Sequence, residues 1–213
     1  MLRRLILAIG LTLTATAPLQ AQVRLNLSPF AGAYVPTADV LNRIFDNQGQ
    51  LIPLKIGHDP AILFGGRLGL RTGRVGIEAS AAYTPSNLDI IEGLPKQDGS
   101  VFLGSLDVLY AIFQAPFTPV SIYVIGGGAV VSHGGDFYSR FDGTSDLAGN
   151  VGFGARFGLG PVVGLRFDVR DFIYSFQPRL GLDRELASVR LDSRLQNDLV
   201  ATLGLDLSFS PAP

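Results

Sequence analysis

Cysteine is absent from the 213 residues, so no disulfide braces whatever fold the chain adopts. Tryptophan is absent too, and lysine occurs only at Lys55 and Lys96. Charged residues make up 16% of the chain. A soluble secreted protein of this size normally covers itself with Lys and Glu, and this chain does not. The formal net charge of −1 gives no case for a nucleic-acid partner. Beyond the N-terminus there is no long apolar run. The most apolar later stretch, Val120 to Val131, is interrupted by Gly126-Gly127-Gly128 and bounded by Pro119 and His133, which excludes a spanning helix there.

The N-terminus carries an export pattern. Met1-Leu2-Arg3-Arg4 is a basic start, Leu5 to Ala17 is a short apolar run, and Pro18-Leu19-Gln20-Ala21 offers a small residue for cleavage. Residues 1–21 are therefore expected to be a cleaved signal peptide, and 22–213 one domain of about 192 residues (213 − 21). An exported domain without disulfides must be stabilised by a large core or by a lipid phase.

What is abundant is glycine, 26 in all, set among segments that alternate apolar and polar residues. The closing stretch is the clearest. Leu199, Ala201, Leu203, Leu205, Leu207 and Phe209 alternate with Val200, Thr202, Gly204, Asp206 and Ser208. Further strands are expected at Val23–Ala33, Ile62–Thr72, Val75–Tyr83, Ser100–Phe113, Ser121–Ser132, Ala148–Phe157 and Val162–Tyr174, which makes eight. Their connections alternate in length. Gly73, the Pro-broken Gln114–Pro119 and Gly158–Pro161 are short, whereas 34–61, 84–99, 133–147 and 175–194 are long. Short turns on one rim and long loops on the other is the arrangement of an outer-membrane barrel, with both chain ends on the short-turn, periplasmic rim.

Alternation by itself fits a soluble lipocalin-like barrel equally well, and the polar faces decide between the two. Strand two presents Gly65, Arg67, Gly69 and Arg71; strand three Gly76, Glu78, Ser80 and Ala82. Strand six presents Gly152, Gly154, Arg156 and Gly158; strand seven Gly164, Arg166, Asp168 and Arg170. Glycines mixed with single charges suit a crowded lumen rather than a wet exterior, where glycine only weakens strands. The opposite faces are apolar, and Tyr83, Tyr110, Phe157 and Phe209 fall near strand ends, where an interfacial girdle built without Trp would place them. The fifth strand has two nearly equally apolar faces, and its Gly126-Gly127-Gly128 marks either a bulge or a close approach of neighbouring backbone. The expectation is an all-β, eight-stranded antiparallel up-and-down transmembrane β-barrel.

The signal segment, the opening Asn26-Leu27-Ser28-Pro29-Phe30-Ala31-Gly32, the Gly-rich strands and the terminal Leu199–Phe209 resemble the small bacterial outer-membrane barrels of the OmpA, OmpX and OmpW kind, and the broader group of outer-membrane β-barrel domain proteins. The resemblance implies a location in the outer membrane among lipid and lipopolysaccharide. It also implies that Phe209, as a terminal aromatic, is read by the barrel-assembly machinery; the tail Ser210–Pro213 sets it four residues inside the end. No partner for the outer loops is implied.

Candidate functional residues are the inward charges: Arg67, Arg71, Glu78, Asp107, Arg156, Arg166, Asp168, Arg170 and Asp206, with Arg24 as a further candidate. Charges in a lumen must pair. They are expected to form a network that closes the barrel and fixes register, the alternative being an ion path with arginines as an anion filter. Eight-stranded lipid-A-modifying enzymes make Ser132 and His133 worth weighing, but neighbours in a strand point to opposite faces, so His133 reads as a polar residue at a loop start. His58 reads as a loop residue, and two histidines in separate loops have no metal-site spacing. Gly134-Gly135-Asp136 and Asp142-Gly143 lack the acidic spacing of a calcium loop. The segments Val40–Phe45 and Leu88–Leu94 are apolar enough for short helices or strand extensions at the barrel mouth. No catalytic residue, cofactor or metal is expected. The expected role is that of a non-enzymatic structural or surface-interaction barrel, with a narrow pore or carrier, and then a lipid-modifying enzyme, as alternatives.

Overall fold

The computed structural model describes residues 23–37, 44–45, 51–52, 57–89, 98–115, 118–135, 141–142, 144–176, 179–180 and 194–209. The expected signal segment, the tail after Phe209, and most of the charged loop positions, including Asp136, Arg140 and 181–193, lie outside the described residues.

Each alternating segment forms one stave. These are β1 (Arg24–Pro36), β2 (Ala61–Thr72), β3 (Val75–Pro85), β4 (Ser100–Gln114), β5 (Val120–Gly134), β6 (Ser145–Gly158), β7 (Val163–Phe176) and β8 (Arg194–Phe209). Every stave pairs antiparallel with its sequence neighbours, and β8 returns to β1, closing an eight-stranded barrel without a free edge. Both ends of the described barrel meet on the short-turn rim, where Leu25 lies opposite Phe209. Strands run a few residues further outward than the alternation predicts, β1 to Pro36 and β5 to Gly134. Beyond the staves, Ile44–Phe45 pairs with Leu51–Ile52, Gly57–His58 with Leu88–Asp89, and Phe141–Asp142 with Arg179–Leu180. So the described parts of the two apolar loop segments are extended, as strand pieces rather than helices.

The barrel is apolar outside, and its buried strand charges point within. Leu106, Ile62 and Leu203 on the outer wall are 68%, 67% and 60% exposed, while Arg166 and Asp168 in the lumen are 0% exposed. A wall of that kind suits hydrocarbon, because water would gain nothing from a barrel turned inside out. Outward aromatics sit in register near the outer end, Phe64 beside Tyr83 and Tyr83 beside Phe102. Tyr110, Phe157 and Phe209 face outward toward the short-turn end. On β3 the steps from Tyr83 to Val75, the register partner of Tyr110, span about 26 Å along the strand, the scale of the apolar band of such barrels.

The structure assigns the faces of β5. Tyr123, Ile125, Ala129, Val131 and His133 point inward and are buried; Val124 and Val130 point out. The glycine triplet is no bulge, since pairing runs through it on both sides. It is a close approach: a Cβ on Gly127 would collide with the Leu106 carbonyl and the Asp107 side chain, whereas Gly126 and Gly128 face open space. The one irregularity in the β4–β5 ladder lies between Ala111 and Phe113.

Candidate functional site

The lumen has a polar inner storey and an apolar outer one. In the inner storey, strand alternation aims one charge after another at the axis, and the glycines between them give each long side chain room. Arg166 and Arg170 of β7 lie across from Glu78 of β3. Arg166 makes a forked pair with Glu78, one arm being Nη2 to Oε1 at 2.9 Å and the other the Nη1–Oε2 contact; its Nε donates to Asp168 at 2.9 Å. Arg170 donates to Glu78 at 2.7 Å and to Asp107 at 2.7 Å. Arg67 approaches Asp168 at 3.1 Å, donates to Thr202 at 2.6 Å and lies 3.8 Å over the Phe30 ring. Asp107 also accepts from Ser105 at 2.6 Å and Asn150 at 2.8 Å, and Tyr123 donates to Asp168.

Arg67, Arg166 and Arg170 thus meet Glu78, Asp107 and Asp168, a balanced set. All six are buried. Such a set is stable only while complete, since removing one partner strands the other charge at about 3–5 kcal/mol.

Of the remaining expected charges, Arg156 pairs with Asp206 at 3.2 Å, and Asp206 accepts from Ser28 at 2.7 Å and Asn26 at 3.3 Å. Arg71 stands apart. With Arg24 and Arg156 it lines an open cavity of about 460 Å³ at the short-turn rim. Among the described residues, neither Arg71 nor Arg24 has a carboxylate within ion-pair distance.

The sequence reading missed the outer storey. Phe30, Tyr34, Leu63, Ala82, Val101, Leu103, Ala129, Val131, Phe172, Tyr174 and Val200 form one buried cluster, so the lumen is closed by hydrocarbon as well as by charge. Their inward direction follows from carrying each strand's alternation past its glycines. Within the cluster, the hydroxyls of Tyr34 and Tyr174 both donate to Asp198 at 2.9 Å. The Tyr174 oxygen also meets His133 Nε2 at 3.3 Å, and His133 faces His58 at 5.4 Å between ring centres.

Both histidines depart from their sequence reading. His133 ends a barrel strand and points inward, and His58 is buried on a strand piece; neither is an exposed loop residue. Ser86 Oγ donates to the Asp59 carbonyl at 2.8 Å, so His58 Nδ1, 3.2 Å away, is the donor in its contact with Ser86. Burial pushes the His58 imidazole down from 6.5 to about 4, against smaller upward effects of Ser86 and Asp59. Ser132 faces outward and bonds Ser145 at 2.8 Å, so it and His133 do not meet. Among the described residues no cluster of metal-ligating side chains occurs.

No protein-family model matches the chain, and no curated protein matches it significantly. Solved structures do. The outer membrane protein OprG from Pseudomonas aeruginosa superposes with TM-score 0.67 at 14% identity, covering 90% of this chain and 97% of that one. Neisserial surface protein A (NspA) superposes with TM-score 0.56 at 12% identity, over 87% and 97%. At these identities the likeness shows the fold, which is that of small bacterial outer-membrane eight-stranded barrels.

Proposed function

We propose that this chain is an integral barrel of a bacterial outer membrane with a closed lumen, and that its work is done by its outer surface rather than by conduction or catalysis. The observation that carries this reading is the double closure. A neutral network of three arginines and three carboxylates fills the inner storey, and the apolar cluster around Tyr34, Leu63 and Tyr174 fills the outer one. An ion would have to break paired charges and then cross hydrocarbon. The apolar wall and the likeness to OprG and NspA support the membrane location. The opposed facing of Ser132 and His133 counts against a lipid-modifying dyad at those residues.

Conductance in planar bilayers tests the closed lumen. The refolded barrel is expected to give no stable openings at moderate voltage. Large, long-lived, anion-selective steps would overturn the reading in favour of the arginine-filter path. Membrane fractionation tests the location, since release without detergent contradicts an integral barrel.

A further inference from the structure

The short-turn rim carries an unbalanced charge that the central network does not need. Its cavity of about 460 Å³ is lined by Arg24, Arg71 and Arg156, and among the described residues the only carboxylate in the lining is Asp206. Arg156 uses its Nε toward that carboxylate, at 3.2 Å. Asp206 is further engaged by Ser28 and Asn26. Arg24 and Arg71, register partners on neighbouring strands, thus share this cavity without an ion pair of their own among the described residues.

We propose that this vestibule is a binding site for a phosphate group. Arg24 is exposed and Arg71 part-buried, and like charges gathered at one open rim repel one another, a repulsion that an anion between them relieves. A guanidinium offers two parallel N–H donors that match a phosphate edge, and Arg24 and Arg71, with the part of Arg156 not turned to Asp206, suit a tetrahedral dianion better than a flat carboxylate. Hydroxyls of Thr118, Ser121 and Ser208 in the same lining add donors for the remaining oxygens. The volume falls within the range of small-ligand sites, so the phosphate can be free or carried by a small organic group or a lipid headgroup. The site lies at the rim, and a small gap of about 20 Å³ lined by Arg71, Arg156 and Glu78 lies toward the central network. The site therefore holds its ligand at the rim, and it stands whether or not the barrel conducts.

Calorimetry on the full refolded barrel in an uncharged maltoside detergent tests this, with two probes. Inorganic phosphate is one, and dihexanoyl phosphatidic acid below its micelle concentration is the other. At least one is expected to bind in a single saturable phase that weakens with added salt. Tighter binding of phosphate identifies a soluble ligand, and tighter binding of phosphatidic acid a lipid of the inner leaflet. Arg71→Gln is expected to weaken binding about tenfold or more, and Arg24→Gln to weaken it in the same direction. Neither arginine is in an ion pair among the described residues, so both variants should keep the folded barrel's heat-sensitive gel migration. Failure of both probes to bind wild type overturns the proposal. So does wild-type affinity in either folded variant.

Discussion

At the scale of single residues, the most consequential atoms are buried ionisable ones whose neighbours decide their state. His58 is the case that titrates within reach of ordinary experiments. Its imidazole is held near 4, below the 6.5 of an unfolded chain, because burial disfavours the cation. The unfolded chain therefore binds the proton more readily. The contribution of neutral His58 to stability is complete above pH 6.5 and is lost as pH falls from there toward 4, by about 3 kcal/mol at most. The loss should be local. Ser86, Asp59 and the ring of His133 surround His58, and the Asp59 and Ser86 amides donate to Asn87 and Gly99 nearby. Hydrogen exchange at those amides is expected to speed up, beyond its intrinsic pH dependence, as pH drops from 6.5 to 4. An imidazole proton resonance that titrates with a midpoint near 6.5 would show that His58 is not buried as described.

At the scale of elements, the glycines divide by what their faces meet. On β5, Gly126 and Gly128 look outward into open space, and Gly127 looks inward against the Leu106 carbonyl and Asp107. A Cβ at 127 forces β5 off β4, or moves Asp107 away from Arg170, its partner at 2.7 Å. Gly127→Ala is therefore expected to destabilise the barrel by about 1–3 kcal/mol in urea unfolding. Gly126→Ala should be neutral or slightly stabilising, because it adds apolar wall and stiffens the strand. Equal effects of the two substitutions would count against the close approach at Gly127, and a reversed order would mean that β5 pairs one residue out of this register. The same logic explains why the sequence left this strand undecided: with apolar residues on both faces, alternation has no contrast to read. Packing broke the tie by needing a missing side chain where β4 and β5 carry Asp107 and Gly127 opposite one another.

At the scale of the whole molecule, a closed ladder with a paired lumen and an apolar wall should resist denaturant until heated. The folded form is expected to migrate faster than the boiled form on a gel. Phe209 belongs to this scale as well, because its expected role lies in assembly rather than in packing. It ends β8, faces outward and is 46% exposed, so it contributes little to contacts within the protein. Phe209→Ser is expected to cut the yield of folded barrel in cells by several fold, while protein refolded in detergent keeps most of its stability. An equal loss in both settings would mean that Phe209 stabilises the fold and is not a signal for insertion.

Two periodicities that operate within a strand are visible in the chain itself. Alternation set the eight staves and their inward charges, and the spacing of turns set which rim is short, because both are local consequences of a backbone whose side chains alternate faces. Arg67, Glu78, Arg166 and Asp168 could be read as lumen residues one strand at a time. Their partners could not. That Arg166 takes Glu78, that Arg71 takes no carboxylate among the described residues, that Tyr34 and Tyr174 share Asp198, and that an apolar storey lies above the charges all depend on heights around a closed cylinder. Register and closure fix those heights, and they arise only when distant strands meet.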